Sequence, residues 1–141
     1  MCLKTGSTTT IWHKIVPLKT RVLMWKIRMA RMATKVNLAK RGCTLENINC
    51  PFCDTVPEST VHIFVDCTRV KEVRSALKAW WKVFSNDASC VDSLLVGQQG
   101  GSGGSLEAFK GTVLHAYLGA IWRSRNDLVF NNVPFYSELC C

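Results

Sequence analysis

Long apolar runs are missing from this sequence of 141 residues. The longest run, from Val113 to Trp122, has ten residues and includes His115, so it is too short to cross a bilayer as a helix. The N-terminus also lacks the apolar core of a signal peptide. We therefore expect an intracellular chain, nuclear or cytoplasmic, without a membrane partner.

The sequence motifs of common enzymes are absent as well. There is no Walker loop, no G-x-G-x-x-G and no G-x-S-x-G, so neither a phosphate-binding loop nor a nucleophile elbow is present. The acidic residues are scattered, and no pair is placed for acid–base or two-metal catalysis. These absences predict a protein that is not an enzyme.

Acidic residues are missing from the first 42 positions, which hold ten Lys and Arg residues. Residues 43–68 have the opposite bias, with four acidic residues and no basic one, and residues 69–84 are again basic. Such a basic stretch is typical of a protein that binds a polyanion, although a solvated helix face gives the same pattern. We predict low-specificity binding of RNA or DNA. The candidate contact residues are Lys19, Arg21, Lys26, Arg28, Arg31, Lys35, Lys40, Arg41, Lys71, Arg74, Lys78 and Lys82.

Cysteine, by contrast, is abundant, and four Cys/His residues follow the spacing C-x2-C-x8-H-x4-C. The predicted ligands are Cys50, Cys53, His62 and Cys67. Thiolate and imidazole groups in this number suit tetrahedral zinc, and a shell filled by protein leaves no position for water or substrate. The spacing therefore predicts one structural Zn²⁺ ion.

Other interpretations of these cysteines are weaker. The segment from Cys50 to Cys53 looks like the active-site tetrapeptide of glutaredoxins, but that chemistry needs a preceding strand and a helix that starts within the tetrapeptide. The preceding residues are a poor strand, and Pro57 disfavours the helix. A disulfide framework does not suit an intracellular chain. Cys43 is the one plausible alternative ligand, and a chance C-x2-C would lack the downstream His and Cys.

Apolar periodicity and capping residues predict a mainly α fold. We expect helices over 19–32, 35–41, 68–84 and 106–130, with Thr34 and Ser59 as N-caps and Gly42 at a helix C-terminus. In the first helix, a stripe at helical spacing is expected to pack in the core. This stripe consists of Val22, Trp25, Met29 and Met32.

The domain organisation follows from these elements and from a Gly/Ser/Gln-rich stretch at residues 97–105. We predict a small helical domain around one zinc site over residues 11–84, a loop and flexible linker over 85–105, and a helical extension over 106–141. The linker composition predicts a mobile segment. The last helix must then bury its apolar face against the zinc domain or against a partner.

Several residues occur in the order found in a known family. They are Trp12, Pro17, Lys19, Trp25, Thr34, Asn37, Leu38, Arg41, Gly42, Cys50, Pro51, Cys53, Glu58, His62, Phe64 and Cys67. The pattern resembles the zinc-binding domain downstream of the reverse transcriptase in plant LINE-type (non-LTR) retrotransposon proteins, over about residues 11–84. The stretch from Ile121 to Phe130 resembles the region that follows this domain.

This resemblance implies that the metal ligands are the same four Cys/His residues and that the domain engages nucleic acid beside a polymerase. The sequence departs from the family at Met32-Ala33, where Leu-Pro is usual, and at Arg74, where tryptophan is frequent. The polymerase, with its Tyr-x-Asp-Asp turn, is not in this sequence. Two other interpretations remain open. One is a structural module that docks on a polymerase or another protein, or self-associates through apolar helix faces, and the other is a degenerate fragment without function.

Overall fold

The computed structural model describes residues 17–80 and 105–135. In these ranges the chain forms four α-helices and one π-helical turn, and it contains no strand. The elements are α1 (Leu18–Arg28), α2 (Lys35–Lys40), the π-turn (His62–Asp66), α3 (Thr68–Trp80) and α4 (Ser105–Asn131). The expected mainly α fold is therefore confirmed.

The predicted boundary near residue 84 and the predicted linker lie outside the described residues, except for Ser105, which begins α4. The division into 11–84, 85–105 and 106–141 thus stays a prediction. No helix among the described residues has both the length and the apolar character of a membrane span.

Helix α1 ends at Arg28, four residues before the end that we expected. Ala30 takes a positive φ of 51°, which stops the helix. The side-chain amide of Asn37 donates hydrogen bonds to the carbonyl oxygens of Ala30 and Met32, at 2.8 and 2.9 Å. A side chain in the next helix therefore holds the turn that follows α1.

The predicted apolar face of α1 is wrong for three of its four residues. Val22, Trp25 and Met29 are exposed, whereas Met24 and Ile27 are buried. Apolar residues surround most of this helix, so their spacing alone does not select the face that is buried. Met32 is buried as expected, but it reaches the core from the turn after the helix.

Helix α2 begins at the predicted residue and ends at Lys40, one residue before the predicted end. The hydroxyl of Thr34 accepts a hydrogen bond from the backbone N–H of Asn37 at 3.4 Å, as an N-cap does. After the helix, Gly42 has a φ of 86°, a conformation that costs glycine little because it lacks a Cβ atom.

Helix α4 packs on the rest of the molecule rather than apart from it. Its buried residues Leu114, Leu118 and Ile121 belong to the same apolar cluster as Ile63 and Phe64 of the π-turn. The buried Tyr117 donates a hydrogen bond to the carbonyl of Val70 in α3 at 3.4 Å. Gly119 of α4 faces α1, since a Cβ atom at this position would lie in ordinary contact with Leu23 Cδ2 at 3.9 Å. The centre of the apolar face of α4 is thus covered within the same chain, whereas Phe109 near its start is exposed.

Candidate metal centre

A tight turn brings Cys50 and Cys53 together. The backbone N–H of Asp54 donates to the carbonyl of Cys50 at 2.8 Å, and Asp54 has a positive φ of 53°. The chain then reverses, so the N–H of Cys50 bonds to the carbonyl of Val56 at 2.7 Å. An isolated antiparallel bridge between Asn49 and Pro57 closes this loop. The two sulfur atoms therefore lie on the side that faces the π-turn.

The π-turn explains how the other two ligands meet. Ser59 Oγ accepts a hydrogen bond from the N–H of His62 at 3.0 Å, so the predicted cap is confirmed. The N–H of Cys67 bonds to the carbonyl of His62 at 2.8 Å, five residues away. In an α-helix these two side chains would lie about 140° apart around the axis. The wider π-turn reduces that angle and places both near one point.

The four predicted ligand atoms form one cluster. Each residue offers one atom, and all four atoms lie within 4.8 Å of one another. The sulfurs of Cys50 and Cys67 are 4.0 Å apart, and Cys53 Sγ lies 3.3 Å from His62 Nε2. A tetrahedral zinc ion with bonds of about 2.3 Å to sulfur separates two sulfur ligands by about 3.8 Å.

The burial and chemistry of this donor set fit a closed structural zinc site. Cys50 and Cys67 are fully buried and His62 nearly so, while Cys53 is half-buried. Three sulfurs and one nitrogen complete a tetrahedral shell without a water ligand. The four residues that the spacing predicts thus lie close enough to hold one zinc ion, and the ion would cross-link the Cys50 turn to the π-turn.

Hydrogen bonding divides the two buried thiols into a donor and an acceptor. The thiol of Cys50 donates to Cys67, and together with the N–H groups of Val70 and Arg69 this lowers the pKa of Cys67 from 9.0 to about 5, against the effect of burial. The same bond and burial raise the pKa of Cys50. The proton between these two sulfurs must leave when a metal binds both of them as thiolates.

The geometry does not favour the other interpretations of the cysteines. Residues 51–53 form a turn, residues 54–56 a bend, and the next helical residue is Thr60. No helix therefore begins within the Cys50–Cys53 segment to stabilise a redox-active thiolate. Cys43 is exposed and is not part of the cluster.

Sequence reasoning did not identify the contacts around the ligands. The hydroxyl of Thr55 donates to Cys53 Sγ at 3.3 Å. The rings of Phe52 and Phe135 lie 4.4 Å apart, so the end of the described chain packs on the metal-binding turn. Such outer contacts orient metal ligands. The proximity of Thr55 to Cys53 was visible in the sequence, but that of Phe135 was not.

Four of the predicted basic contact residues surround one cavity of about 370 Å³. They come from α1, from the turn after it and from the end of α2, and they are Lys19, Lys26, Arg31 and Arg41. All four are exposed. Apolar side chains complete the lining, namely Val22, Leu23, Met32, Ala33 and Trp122.

The remaining predicted contact residues do not line this cavity. Lys40 and Lys71 are exposed, and Lys71 Nζ lies 3.9 Å from Asp66 Oδ1. A further set is half-buried: Arg21, Arg28, Lys35 and Lys78. Lys82 lies outside the described residues.

Arg74 has a different environment from the other basic residues. It is only 9% exposed, and its Nη1 has no hydrogen-bond partner. It follows the buried Val73 on the side of α3 that faces the core. Its charge is therefore not presented at the surface.

A known family matches this chain. The model of a family described as zinc-binding in reverse transcriptase matches residues 2–73, about half of the chain, and includes all four ligands. No curated protein and no solved structure matches the chain. The matching family is an accessory zinc-binding domain and not the catalytic domain of the polymerase. By its sequence match and its Cys/His cluster, the chain belongs to the family of zinc-binding domains of reverse transcriptases.

Proposed function

We propose that this chain is a non-catalytic zinc-binding module of retrotransposon origin that binds nucleic acid through backbone phosphates. The observation that carries the proposal is the convergence of four exposed basic side chains around one cavity. These side chains come from three separate segments of the chain, so the fold rather than local sequence brings them together. A concentration of positive charge of this kind attracts a polyanion from solution.

The surroundings of the cavity support the same conclusion. The residues that line it include four cations and no acidic side chain. The first 42 residues contain no Asp or Glu, so α1 and α2 contribute no acidic charge near the rim. Reverse transcriptases act on RNA and DNA strands, and an accessory domain with such a surface could hold a strand near the polymerase. Contacts of this type position a strand without reading its sequence.

Zinc has a structural role in this proposal. A metal with four protein ligands has no open position to activate water or polarise a substrate. The ion would instead fix the turn at Cys50 against the π-turn that leads into α3. Folding around the metal then keeps the basic segments in a defined arrangement.

The test compares two charge-reversed variants with equal net charge. In the first, Lys19, Lys26 and Arg31 are changed to Glu. In the control, Lys40, Lys71 and Lys78 are changed to Glu. The affinity of each zinc-loaded protein for short single-stranded RNA and DNA is measured against salt concentration.

We expect the first variant to bind more weakly and to lose about 0.7 from the slope of log affinity against log salt for each phosphate contact that disappears. The control variant should keep most of the slope, because its residues do not line the cavity. Absence of binding by the unmodified protein, or equal losses in both variants, would refute the proposal.

A second candidate function, protein docking, rests on a different surface. An exposed apolar stripe runs along α1, and it consists of Leu18, Val22, Trp25 and Met29. Contiguous exposed apolar residues often mark a protein interface. Sedimentation of the purified chain tests self-association through this stripe: a dimer that Trp25→Ser converts to a monomer would favour docking, and a monomer in both cases would count against self-association.

A further inference from the structure

The cavity described above combines two kinds of surface. The basic residues Lys19, Lys26 and Arg41 line it together with the apolar Leu23 and Trp122. Phosphate binding alone requires only the charges. An apolar wall beside them suits a ligand that carries a flat, weakly polar group next to a negative charge.

We infer that this cavity accepts one unpaired base of a single-stranded polynucleotide while the cations at its rim bind the neighbouring phosphates. The inference rests on the proposed function and defines the form of nucleic acid that the site takes. Bases of every sequence have an aromatic face, so this recognition tolerates sequence variation. RNA and DNA both offer an unpaired base next to a phosphate, so binding of each is measured separately.

Trp122 is held firmly enough to serve as a wall for a base. Its ring centroid lies 6.2 Å from that of Phe64, and the guanidinium of Arg125 lies over it at 5.0 Å. At the rim, the guanidinium of Arg31 lies 5.5 Å from the centroid of Trp25. Side chains that are already fixed lose little conformational entropy when a ligand binds.

The dimensions of the cavity favour a single strand over a duplex. A volume of about 370 Å³ falls at the lower end of the range of about 300–1,000 Å³ that small-molecule sites occupy, which suits one nucleotide. A base in a duplex is paired and stacked, so it enters such a cavity only after unpairing. Duplex binding would therefore use the rim charges without the apolar wall.

Filling the cavity separates the contribution of the rim charges to binding from that of the apolar wall. Ala33 lines it and is exposed, so Ala33→Phe adds bulk without removing a charge or a core contact. The matched control is Ala39→Phe, at an exposed position of α2 that does not line the cavity. Fluorescence anisotropy at one salt concentration measures binding of short single-stranded RNA, single-stranded DNA and the corresponding duplexes.

We expect Ala33→Phe to weaken single-strand binding at least about fivefold, the lower end of the effect of stacking one base on an aromatic side chain. Duplex binding should stay within twofold or so of the unmodified protein, and Ala39→Phe should change neither affinity. A loss for RNA alone or for DNA alone supports the inference and identifies the strand that enters the cavity.

Two results would overturn the inference while leaving phosphate binding intact: an unchanged single-strand affinity in Ala33→Phe, or equal losses for single strands and duplexes. If the unmodified protein binds no polynucleotide, the proposed function fails and the inference fails with it. Zinc content and thermal unfolding verify that each variant folds. If Ala33→Phe does not fold, Val22→Trp provides the same test, because Val22 also lines the cavity and is 38% exposed.

Discussion

Arg125 in α4 forms a two-point ion pair with Glu58, which lies 67 residues earlier in the chain. Arg125 Nε donates to Glu58 Oε1 at 2.6 Å, and Nη2 donates to Oε2 at 2.9 Å. Oε2 also accepts a hydrogen bond from the backbone N–H of Lys35 at 2.7 Å. The carboxylate of Glu58 thus joins the start of α2, the segment before the π-turn and the last helix.

This ion pair is buried, with side-chain exposures of 4% for Arg125 and 0% for Glu58. Removing two charges from water is costly, and the cost is offset only when the hydrogen-bonding positions are well filled. Here the carboxylate accepts three hydrogen bonds, and one of them comes from a helix N-terminus, where a negative charge is favourable. Each member of the pair therefore depends strongly on the other.

The first prediction follows from that dependence. Glu58→Ala should lower the free energy of unfolding by about 3–5 kcal/mol, because it leaves the guanidinium of Arg125 buried without a counter-charge. The control is Glu72→Ala, since Glu72 Oε2 lies 3.7 Å from Arg69 Nη1 and both side chains are more than half exposed. The control should cost at most about 1 kcal/mol. Urea unfolding of the zinc-loaded proteins measures both values.

A double-mutant cycle tests the coupling directly. Changing Glu58 and Arg125 together to Ala should cost less than the sum of the two single changes, because no charge is left buried alone. If the losses in free energy of unfolding of the two single variants add up to that of the double variant, the ion pair contributes no coupling energy to stability.

The features that the sequence predicts well are local. The ligand spacing from Cys50 to Cys67, the Thr34 cap and the positive φ of Gly42 each depend on a few neighbouring residues. The partner of Glu58 could not be predicted in this way, because the pairing depends on how α4 docks. Sequence shows that both residues are charged but does not show that they meet.

The errors in α1 and the position of Arg74 have the same physical origin. The buried face of α1 is set by its contact with α4, so the apolar stripe through Trp25 and Met29 was misassigned to the core. The early end of α1 depends on the side chain of Asn37, which lies in another helix. In the sequence, Arg74 is one more basic residue on a basic helix, and its burial depends on how α3 packs in the fold.

The second prediction concerns zinc content. The reduced protein should bind one zinc ion per chain, and Cys53→Ser should lose it, because three ligands hold the ion less tightly than four. Cys43→Ser is the matched control and should keep the metal, since Cys43 is exposed and outside the cluster. Elemental analysis gives the stoichiometry. Equal zinc loss in both variants would place Cys43 in the site, and a metal-free unmodified protein would contradict the site altogether.

The third prediction is the response of the site to acid. The hydrogen bond from Cys50 and two backbone N–H groups lower the pKa of Cys67 from 9.0 to about 5. Because the folded chain binds the Cys67 proton less tightly than the unfolded chain, the lowered pKa contributes its full stabilisation above pH 9.0. That contribution is lost as the pH falls through about 5. Protons then compete with the metal for the thiolate, so zinc affinity also falls as the pH is lowered.

A metallochromic indicator can follow this release as the pH is lowered. Zinc should stay bound near neutral pH and dissociate as the pH is lowered into the acidic range, because protons then compete with the metal for the three thiolates and the imidazole. The Cys43→Ser control should give the same release profile as the unmodified protein. Complete release already at neutral pH, or a release profile that Cys43→Ser changes, would contradict release by protonation of these four ligands.

The last prediction concerns α4, which lies beyond the part of the chain that the family model matches. This helix buries Leu114, Leu118 and Ile121 in the same cluster as the π-turn, and it supplies Arg125 to the buried Glu58. A fragment that ends at residue 104 would therefore expose apolar core and leave the Glu58 carboxylate without its cation. We expect this fragment to bind zinc with lower affinity, to unfold at a lower urea concentration than the full chain and to recover both properties when a peptide of residues 105–135 is added. The same peptide with Arg125→Ala should restore less stability. If the fragment alone matches the full chain in zinc affinity and urea midpoint, the last helix is an independent extension and not part of the domain.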